Sequence, residues 1–448
     1  MAIKDFVTCG LEPIEEALLP FQEFFRSKST GGLLLIISAL IALAWANSPW
    51  RETYVAIWET EFSVGYGTAA LSKPLQHWVN DGLMAFFFFV VGLEIKREFM
   101  VGELSTRTHA VLPVAAAVGG MIVPALLYSL INIGSPGLHG WGIPMATDIA
   151  FALGILALLG DRIPYQLKIF LTAVAIVDDI GAILVIALFY TPTISIWLLA
   201  TATTLLLIAY TGNRLGVRYH GFYAAIGVLV WLAVLKSGVH STVAGVLMAF
   251  TIPARTRCNA NAFLHNATII LEDCKKAAQP GGTILTNPSM NSTLLSMQYM
   301  AARAQTPLQR FMYGLHPAVD YIIMPIFAFA NAGIFLGGDI GPILTQPATF
   351  GTAIGLLIGK PLGIVLSVWL IAKISGGYPG GMHLRHFIGV GMLGGIGFTM
   401  SLFIAALAFH NSPELLTGSK AAIFGASIIA GTAGWLTLRG APAPSPQE

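Results

Sequence analysis

Long apolar runs separated by short polar connections dominate the hydrophobic pattern of this chain. About twelve runs approach the roughly 20 residues that a helix needs to cross about 30 Å of hydrocarbon. They centre near residues 40, 88, 121, 151, 179, 203, 228, 246, 328, 362, 398 and 428. The run at 239–253 is short, and the runs around 151 and 398 are interrupted by polar or glycine-rich sequence. The pattern predicts an all-α polytopic membrane protein with about twelve transmembrane helices.

Basic residues are distributed unevenly among the connections. With both termini on one side of twelve spans, 19 of the 24 Lys and Arg residues lie on that side, 4 lie on the other, and Lys360 lies within a span. Positive charge marks the cytoplasmic side, so both termini are expected there. The predicted organisation is an N-terminal cytoplasmic segment 1–29, a first membrane part 30–253, a cytoplasmic connection 254–318, a second membrane part 319–438 and a tail 439–448.

Two connections are longer than the others. Residues 254–318 contain a polar insertion with two short helix-like stretches, and we find no motif in it. Residues 51–75, RETYVAIWETEFSVGYGTAALSKPL, mix β-branched and aromatic residues with a glycine turn. This mixture is typical of a β-hairpin, which would lie on the outer side of the membrane.

The composition agrees with a membrane protein and excludes several other classes. Of 448 residues, 55% are hydrophobic and only 10% are charged, and the mean hydropathy is +0.74, whereas soluble domains carry roughly 25% charged residues. The net charge of +2 is too small to indicate a nucleic-acid partner. Three cysteines, Cys9, Cys258 and Cys274, lack metal-ligand spacing and support neither a disulfide framework nor a zinc site. We predict no cofactor.

Two of the predicted spans carry signs of a break. In GIPMATDIAFALGILALLG, Asp148 follows Pro144 and Thr147, and the carbonyl groups that a proline frees are tolerated in a membrane only where they line protein or water. In GVGMLGGIGFTMSLFIAALAF, five glycines lie between residues 389 and 397. Interrupted segments at corresponding places in two halves point to the site of an inverted-repeat transporter. Glycines alone also allow close helix packing.

Asp178 and Asp179 lie side by side in AIVDDIGAILVIALFY, where each ionised group costs several kcal/mol to desolvate. Adjacent helical residues point about 100° apart, so we expect one carboxylate to face a cavity and the other a neighbouring helix. Lys360, in GLLIGKPLGIVLSVWL, is the expected counter-charge. A purely structural ion pair would explain only one of the two aspartates. The excess negative charge suits a small cation or protons.

A buried carboxylate pair can bind a cation and protons in competition. Burial and a like-charged neighbour favour the protonated form of a carboxyl group near neutral pH, and sodium or lithium, as hard cations, prefer oxygen ligands. The Thr147 hydroxyl and the freed carbonyl groups could complete the cation shell. Competition for the same oxygens couples the two fluxes when the site faces one side of the membrane at a time.

Weaker candidates lie at the ends of spans. The charged stretch in VGLEIKREFM suits either a solvated helix end or a regulatory cluster, and histidines at helix ends can sense pH. Asp81 reads as an interfacial cap. The candidates for a pH response are Glu94, Arg97, Glu98, His240 and His316.

Several motifs together resemble the NhaA family of sodium/proton antiporters. They are GWGIPMATDIAFALGILALLG, KIFLTAVAIVDDIGAILVIALFY, VLKSGVHSTVAGV, MPIFAFANAG, LLIGKPLGI and GIGFTMSLFIA. The resemblance covers about residues 26–438, apart from the insertion. It implies that Asp178 and Asp179 bind sodium and protons, that Lys360 pairs with Asp178, and that Asp148 compensates the dipoles of unwound helices.

The resemblance further implies a pH response at the inner face and a histidine, His240, linked to pH. It also implies exchange of cytoplasmic Na⁺ or Li⁺ for more than one external proton. Expected features are a bacterial inner membrane and a homodimer formed through the outer hairpin near residues 51–75. Met312 stands where a pH-linked glutamate is expected, and the long insertion lies outside the pattern.

Two other classes deserve comparison with antiport. An intramembrane aspartyl protease also uses two aspartates, but its tyrosine-aspartate and GxGD contexts are absent from this sequence. That class also leaves Lys360 and the interrupted spans unexplained. A sodium-coupled symporter would need a larger polar site for an organic solute.

Overall fold

The computed structural model describes residues 28–442, apart from 66–69, 192–193, 257–259, 278–286, 336, 338–339, 376 and 379–381. Most of the predicted N-terminal segment, Cys9, Cys258 and the end of the tail lie outside the described residues. The described part is almost entirely helical, with one two-stranded antiparallel sheet. The predicted all-α membrane architecture is confirmed.

Helices are numbered here in chain order, with the two hairpin strands as β1 and β2. They are α1 Lys28–Ala46, α2 Arg51–Glu59, β1 Glu61–Val64, β2 Leu71–Pro74, α3 Leu75–Val101, α4 Arg107–Ile131, α5 Ile149–Leu158, α6 Tyr165–Phe189, α7 Ile196–Arg214, α8 His220–Ser237, α9 Thr242–Thr251, α10 Ala260–Ala277, α11 Pro288–Ala304, α12 Pro307–Asn331, α13 Ile340–Leu344, α14 Pro347–Ser375, α15 Leu384–Gly394, α16 Phe398–Ala408 and α17 Pro413–Arg439.

The number of spans depends on how bent helices are counted. Among the described residues, 8 helices are long and apolar enough to cross a membrane, and up to 11 spans result if each bent pair forms one span. The run predicted at 239–253 forms α9, which has only 10 residues. A count of twelve therefore stays a prediction.

The predicted hairpin is confirmed, although it occupies only part of its segment. Strands β1 and β2 pair antiparallel, with Glu61 opposite Pro74. The residues before β1 form the helix α2, which meets α1 at 115°. This helix is anchored because Tyr54 is buried and its hydroxyl donates a hydrogen bond of 2.6 Å to the Phe329 carbonyl oxygen. The β-branched and aromatic residues of this segment predicted strands and did not predict the helix α2.

In the described part of the chain, three helices contain a π-helical turn, and each turn lies near charged or polar residues. These turns are Trp78–Leu83 in α3, Val319–Ile323 in α12 and Gly355–Gly359 in α14. A π turn inserts one residue and redirects the side chains that follow. The third turn directly precedes Lys360, so it sets the direction in which this lysine leaves its helix.

Small residues bring the helices around the interrupted spans close together. Gly119 of α4 and Gly363 of α14 face each other, and a Cβ atom on either glycine would run into the backbone of the other. Close backbone approach of this kind is a usual way to pack helices in membranes. The largest buried apolar cluster surrounds the interrupted spans, and a smaller one joins α7, α8 and α9.

The long connection leaves and rejoins the membrane part at one point. The backbone N of Leu308 donates to the Pro253 carbonyl oxygen at 3.1 Å, so the two ends of the connection are adjacent. Its helices α10 and α11 contact each other, and α11 has no buried residue. The insertion is therefore a peripheral excursion from the helical bundle.

Candidate functional site

The first interrupted span changes direction at residues 146–148. Two short 3₁₀ helices, Pro136–Gly140 and Ile143–Met145, precede an extended stretch, and α5 then continues at an angle of 43°. Backbone groups in such a stretch have no partner inside a helix and need another one when they are buried. Pro144, which lacks a backbone donor, lies just before the break.

The second interrupted span supplies many of these partners. Helices α15 and α16 also meet at 43°, with Gly395, Ile396 and Gly397 between them. The backbone N of Asp148 donates to the Ile396 carbonyl oxygen at 2.6 Å. The Ser401 hydroxyl donates to the Ile143 carbonyl oxygen at 2.8 Å. The two breaks therefore lie against each other, and each satisfies polar groups that the other leaves open.

Asp148 lies at the start of both short helices that follow the breaks. Its Oδ1 accepts a hydrogen bond of 3.0 Å from the backbone N of Phe151, which makes it the N-cap of α5. Its Oδ2 accepts hydrogen bonds from the Thr399 backbone N at 3.1 Å and from the Thr399 hydroxyl at 2.6 Å, in the first turn of α16. Helix N-termini carry positive partial charge, so one buried carboxylate faces two such termini.

Asp178 lies in a cage of donors near the two breaks. Lys360 Nζ is 2.6 Å from Asp178 Oδ2, and both side chains are fully buried. The Thr147 hydroxyl lies 2.7 Å from the same oxygen. Lys360 also donates to the carbonyl oxygen of Met145, at the end of a 3₁₀ helix, where the partial charge is negative. The lysine thus joins a carboxylate to a backbone carbonyl oxygen at the first break.

Asp179 has a different environment from its neighbour. Its side chain is 2% exposed. Among the described residues, Oδ1 of Asp178 and Oδ1 of Asp179 have no hydrogen-bond partner. The cation near the aspartate pair, Lys360, lies 2.6 Å from Asp178 Oδ2. The charge of Lys360 is therefore engaged by Asp178, the neighbour of Asp179 on the helix.

A cavity of about 680 Å³ lies beside the part of α6 that precedes the carboxylate pair. It is bordered by Arg97 and Glu98 of α3, by Leu156 of α5 and by Ala173 of α6. Ala173 precedes Asp178 by five residues, about 7.5 Å along a helix. The cavity therefore ends within about one and a half turns of the site.

The five candidates for a pH response separate into two places. Glu94 Oε1 lies 3.1 Å from His316 Nε2, and Arg97 is paired with Glu98 at 2.7 Å near the cavity. His240 instead lies beside the π turn Trp78–Leu83 of α3. Asp81, the α3 residue that contacts His240, and Glu94 are 13 residues apart, about 20 Å along the helix axis.

His240 contacts Asp81, the residue predicted to cap a helix at the membrane interface. Asp81 lies inside a π turn, and its Oδ1 is 3.4 Å from His240 Nε2. The only signal in the sequence was that an acidic residue and a histidine lie near the same ends of predicted spans. Pairing across 159 positions cannot be read from local pattern.

Two interrupted helices that cross at their breaks beside buried carboxylates and a buried lysine define a secondary transporter of the helical membrane class. The family model described as Na+/H+ antiporter 1 matches residues 22–438. The chain belongs to this family, the NhaA sodium/proton antiporters.

Curated relatives match almost the whole chain. The Na(+)/H(+) antiporter NhaA of Oleidesulfovibrio alaskensis is 47% identical over 440 residues, which cover 98% of each chain. That of Koribacter versatilis is 48% identical over 427 residues, covering 95% of this chain and 92% of the relative. That of Acidithiobacillus ferrooxidans is 46% identical over 424 residues, covering 94% and 97%. A secondary transporter that exchanges Na⁺ and H⁺ is not an enzyme, which removes the protease alternative.

Proposed function

We propose that this protein exchanges cytoplasmic sodium or lithium for external protons by alternating access, with the cation and protons competing for Asp178 and Asp179. Oδ1 of both aspartates lacks a partner among the described residues, but Asp178 is held by Lys360 at 2.6 Å, so Asp179 is the main carrier in this mechanism. This observation carries the proposal, because a carboxylate oxygen without a donor can accept either a hard cation or a proton.

Asp178 and Lys360 form the second part of the mechanism. Their ion pair at 2.6 Å occupies Asp178 when no cation is bound. An arriving sodium ion competes with the ammonium group for Asp178 Oδ2, and release of the cation allows the pair to form again. Thr147 lies within 2.7 Å of that oxygen and is a further sodium ligand.

Asp148 has a supporting role in this proposal. Its carboxylate stabilises the N-termini of α5 and α16, and Lys360 stabilises the opposing C-terminus at Met145. Because the two charges compensate the dipole ends of both breaks, the breaks persist without a bound ion. Exchange of more than one proton for each cation makes transport electrogenic.

The regulation and topology of the transporter follow from the distribution of charge. Both termini and the connection 254–318 lie in the cytoplasm of a bacterium, with the chain in the inner membrane. The pH response belongs to Arg97 and Glu98, which border the cavity, and to the ion pair of Glu94 with His316. The hairpin near 51–75 forms an outer homodimer contact.

Everted membrane vesicles with a pH-sensitive dye test this proposal. Sodium or lithium, but not potassium, should dequench the dye in vesicles with the wild-type chain across a pH series. Asp179→Asn keeps the size of the side chain and removes its titratable charge, so exchange should be lost while the protein still inserts. Glu59→Gln, a change at an exposed carboxylate, serves as the matched control. Near-native exchange by Asp179→Asn would refute the mechanism.

A further inference from the structure

A second cluster of titratable groups lies at the hairpin end of α3, away from Asp178 and Asp179. Asp81 Oδ1 is 3.4 Å from His240 Nε2, and Asp81 Oδ2 is 3.8 Å from His77 Nε2. The ring of His77 lies 6.2 Å from the ring of His410, which follows α16. Lys73 of β2 is the other charged group that acts on His77. The proposed mechanism uses none of these groups.

Hydrogen bonds define how His240 is held. The Thr242 hydroxyl is 2.8 Å from His240 Nδ1, and the Thr242 backbone N is 3.4 Å from the same atom. In the neutral ring either nitrogen can carry the proton. With that proton on Nδ1, the ring donates to the Thr242 hydroxyl, and Nε2, 3.4 Å from Asp81 Oδ1, can take up a second proton. The protonated Nε2 then donates to Asp81, so the pair can hold one additional proton.

The cluster leads from water into the protein. The side chain of His77 is 40% exposed, that of Asp81 18% and that of His240 9%. The backbone around Asp81 is fixed, because Trp231 Nε1 and the Ser241 hydroxyl each donate to its carbonyl oxygen at 3.0 Å. This graded exposure suits the passage of a proton from an exposed imidazole to a buried one.

An aromatic side chain closes the inner end of the cluster. Phe403 of α16 is fully buried, and its ring lies 5.1 Å from that of His240, 5.8 Å from that of Phe88 and 6.1 Å from that of Phe327. Phe403 is one helical turn beyond Thr399, whose hydroxyl binds Asp148. The helix that carries this closing ring is thus the helix that lines the ion site.

We infer that His77, Asp81 and His240 form a proton-loading site on the hairpin face, from which external protons reach the aspartate pair when α16 moves Phe403 aside. The proton passes from water to His77, then through Asp81 to His240 Nε2, and finally to a carboxylate of the ion site. The inference rests on the proposed antiport and on the hairpin face being external. It assigns His240 to proton uptake rather than to sensing pH at the inner face.

The test compares His240→Gln with the wild type in right-side-out and everted vesicles from the same cells. The glutamine amide can still donate to Asp81 but cannot take up a proton. Sodium efflux from right-side-out vesicles is measured while the external pH varies and the internal pH stays fixed. Near external pH of about 7.5 we expect efflux at least about tenfold below wild type, as expected for loss of a positioned proton-transfer group. Near about pH 5.5 the difference should disappear, since protons then reach the site directly.

His316→Gln, which changes the histidine that lies 3.1 Å from Glu94 Oε1, is the matched control. It should leave the dependence on external pH unchanged and alter the dependence on internal pH. Superimposable external-pH profiles for the wild type and His240→Gln would overturn the inference, as would an equal change when only the internal pH varies. If His240→Gln does not accumulate, His77→Gln replaces it. A smaller change of the external-pH profile in the same direction is then expected, and an unchanged profile would contradict the inference. Wild-type exchange and its loss in Asp179→Asn, measured in the same vesicles, test the proposed antiport separately.

Discussion

Replacing Lys360 by alanine should destabilise the protein by an amount that grows with pH. The ammonium group is fully buried, contacts Asp178 Oδ2 at 2.6 Å and donates to the Met145 carbonyl oxygen. Removing one member of a buried ion pair typically costs about 3–5 kcal/mol. At roughly 2.1 cal/mol/K of unfolding entropy per residue, a 448-residue chain that unfolds as one unit loses about 1 °C per kcal/mol. The expected loss is therefore roughly 4 °C.

The pH dependence separates this ion pair from simple packing. Without Lys360, the Asp178 carboxyl group must either remain as an unpaired buried charge or take up a proton. If it takes up a proton on folding, the native state binds one more proton than the unfolded state above about pH 5. Stability then falls as the pH rises, by about 1.4 kcal/mol per pH unit. In the wild type, where Asp178 and Lys360 are paired as ions, Asp178 adds no such slope.

Thermal unfolding of the purified protein at about pH 6, 7 and 8 measures the effect, with pH values chosen above the ordinary range of carboxyl groups. Lys360→Arg keeps the charge, although its planar head is wider, so it should retain more stability than Lys360→Ala and shift the pH profile of exchange. The double variant Asp178→Asn with Lys360→Ala removes both charges and should show no additional slope. Equal stability of the wild type and Lys360→Ala at all three values would refute the reasoning.

Two further predictions concern the connection 254–318. Deleting residues 258–304 should leave exchange measurable, because Pro253 and Leu308 already meet at 3.1 Å and closure entropy depends weakly on loop length. Complete loss of transport at normal expression would show that the insertion takes part in transport. Met312→Glu places a carboxylate where Met312 Sδ now lies 3.9 Å from Arg97 Nη1, and added negative charge favours the protonated form of nearby groups. The onset of exchange should therefore move to higher pH. The measurement is the exchange rate and the apparent sodium affinity from about pH 6 to about pH 9, a window around the ordinary histidine range. Unchanged profiles would mean that Met312 only fills space.

Local sequence predicted the helices well because apolar runs in a membrane have few alternatives. Pro144 and the glycines from 389 to 397 also marked both breaks, since each residue type weakens a helix for a physical reason. The helix α2 was missed because its nine residues combine β-branched and aromatic side chains. Its position depends on Tyr54 contacting Phe329, which no local pattern shows.

The candidate site was predictable in its residue types but not in its partners. Buried carboxylates and a buried lysine are costly in a membrane, so Asp148, Asp178, Asp179 and Lys360 stood out individually. The contacts of Asp148 with Thr399 and of His240 with Asp81 join distant segments. They arise from tertiary packing and from a π turn that the sequence does not predict.

The mutual support of the two breaks also bears on how the chain is made. Asp148 and Thr399 are separated by 251 positions, and Thr147 and Gly394 by 247. At about 5–20 residues per second of synthesis, the ribosome needs roughly 12–50 s to supply the partners of the first break after that break has emerged. During this interval the first interrupted span carries open backbone groups and a buried aspartate without its hydroxyl donor. The nascent N-terminal half therefore waits in the membrane in an incomplete form, and we expect a truncated chain ending before α15 to be less stable than the full chain.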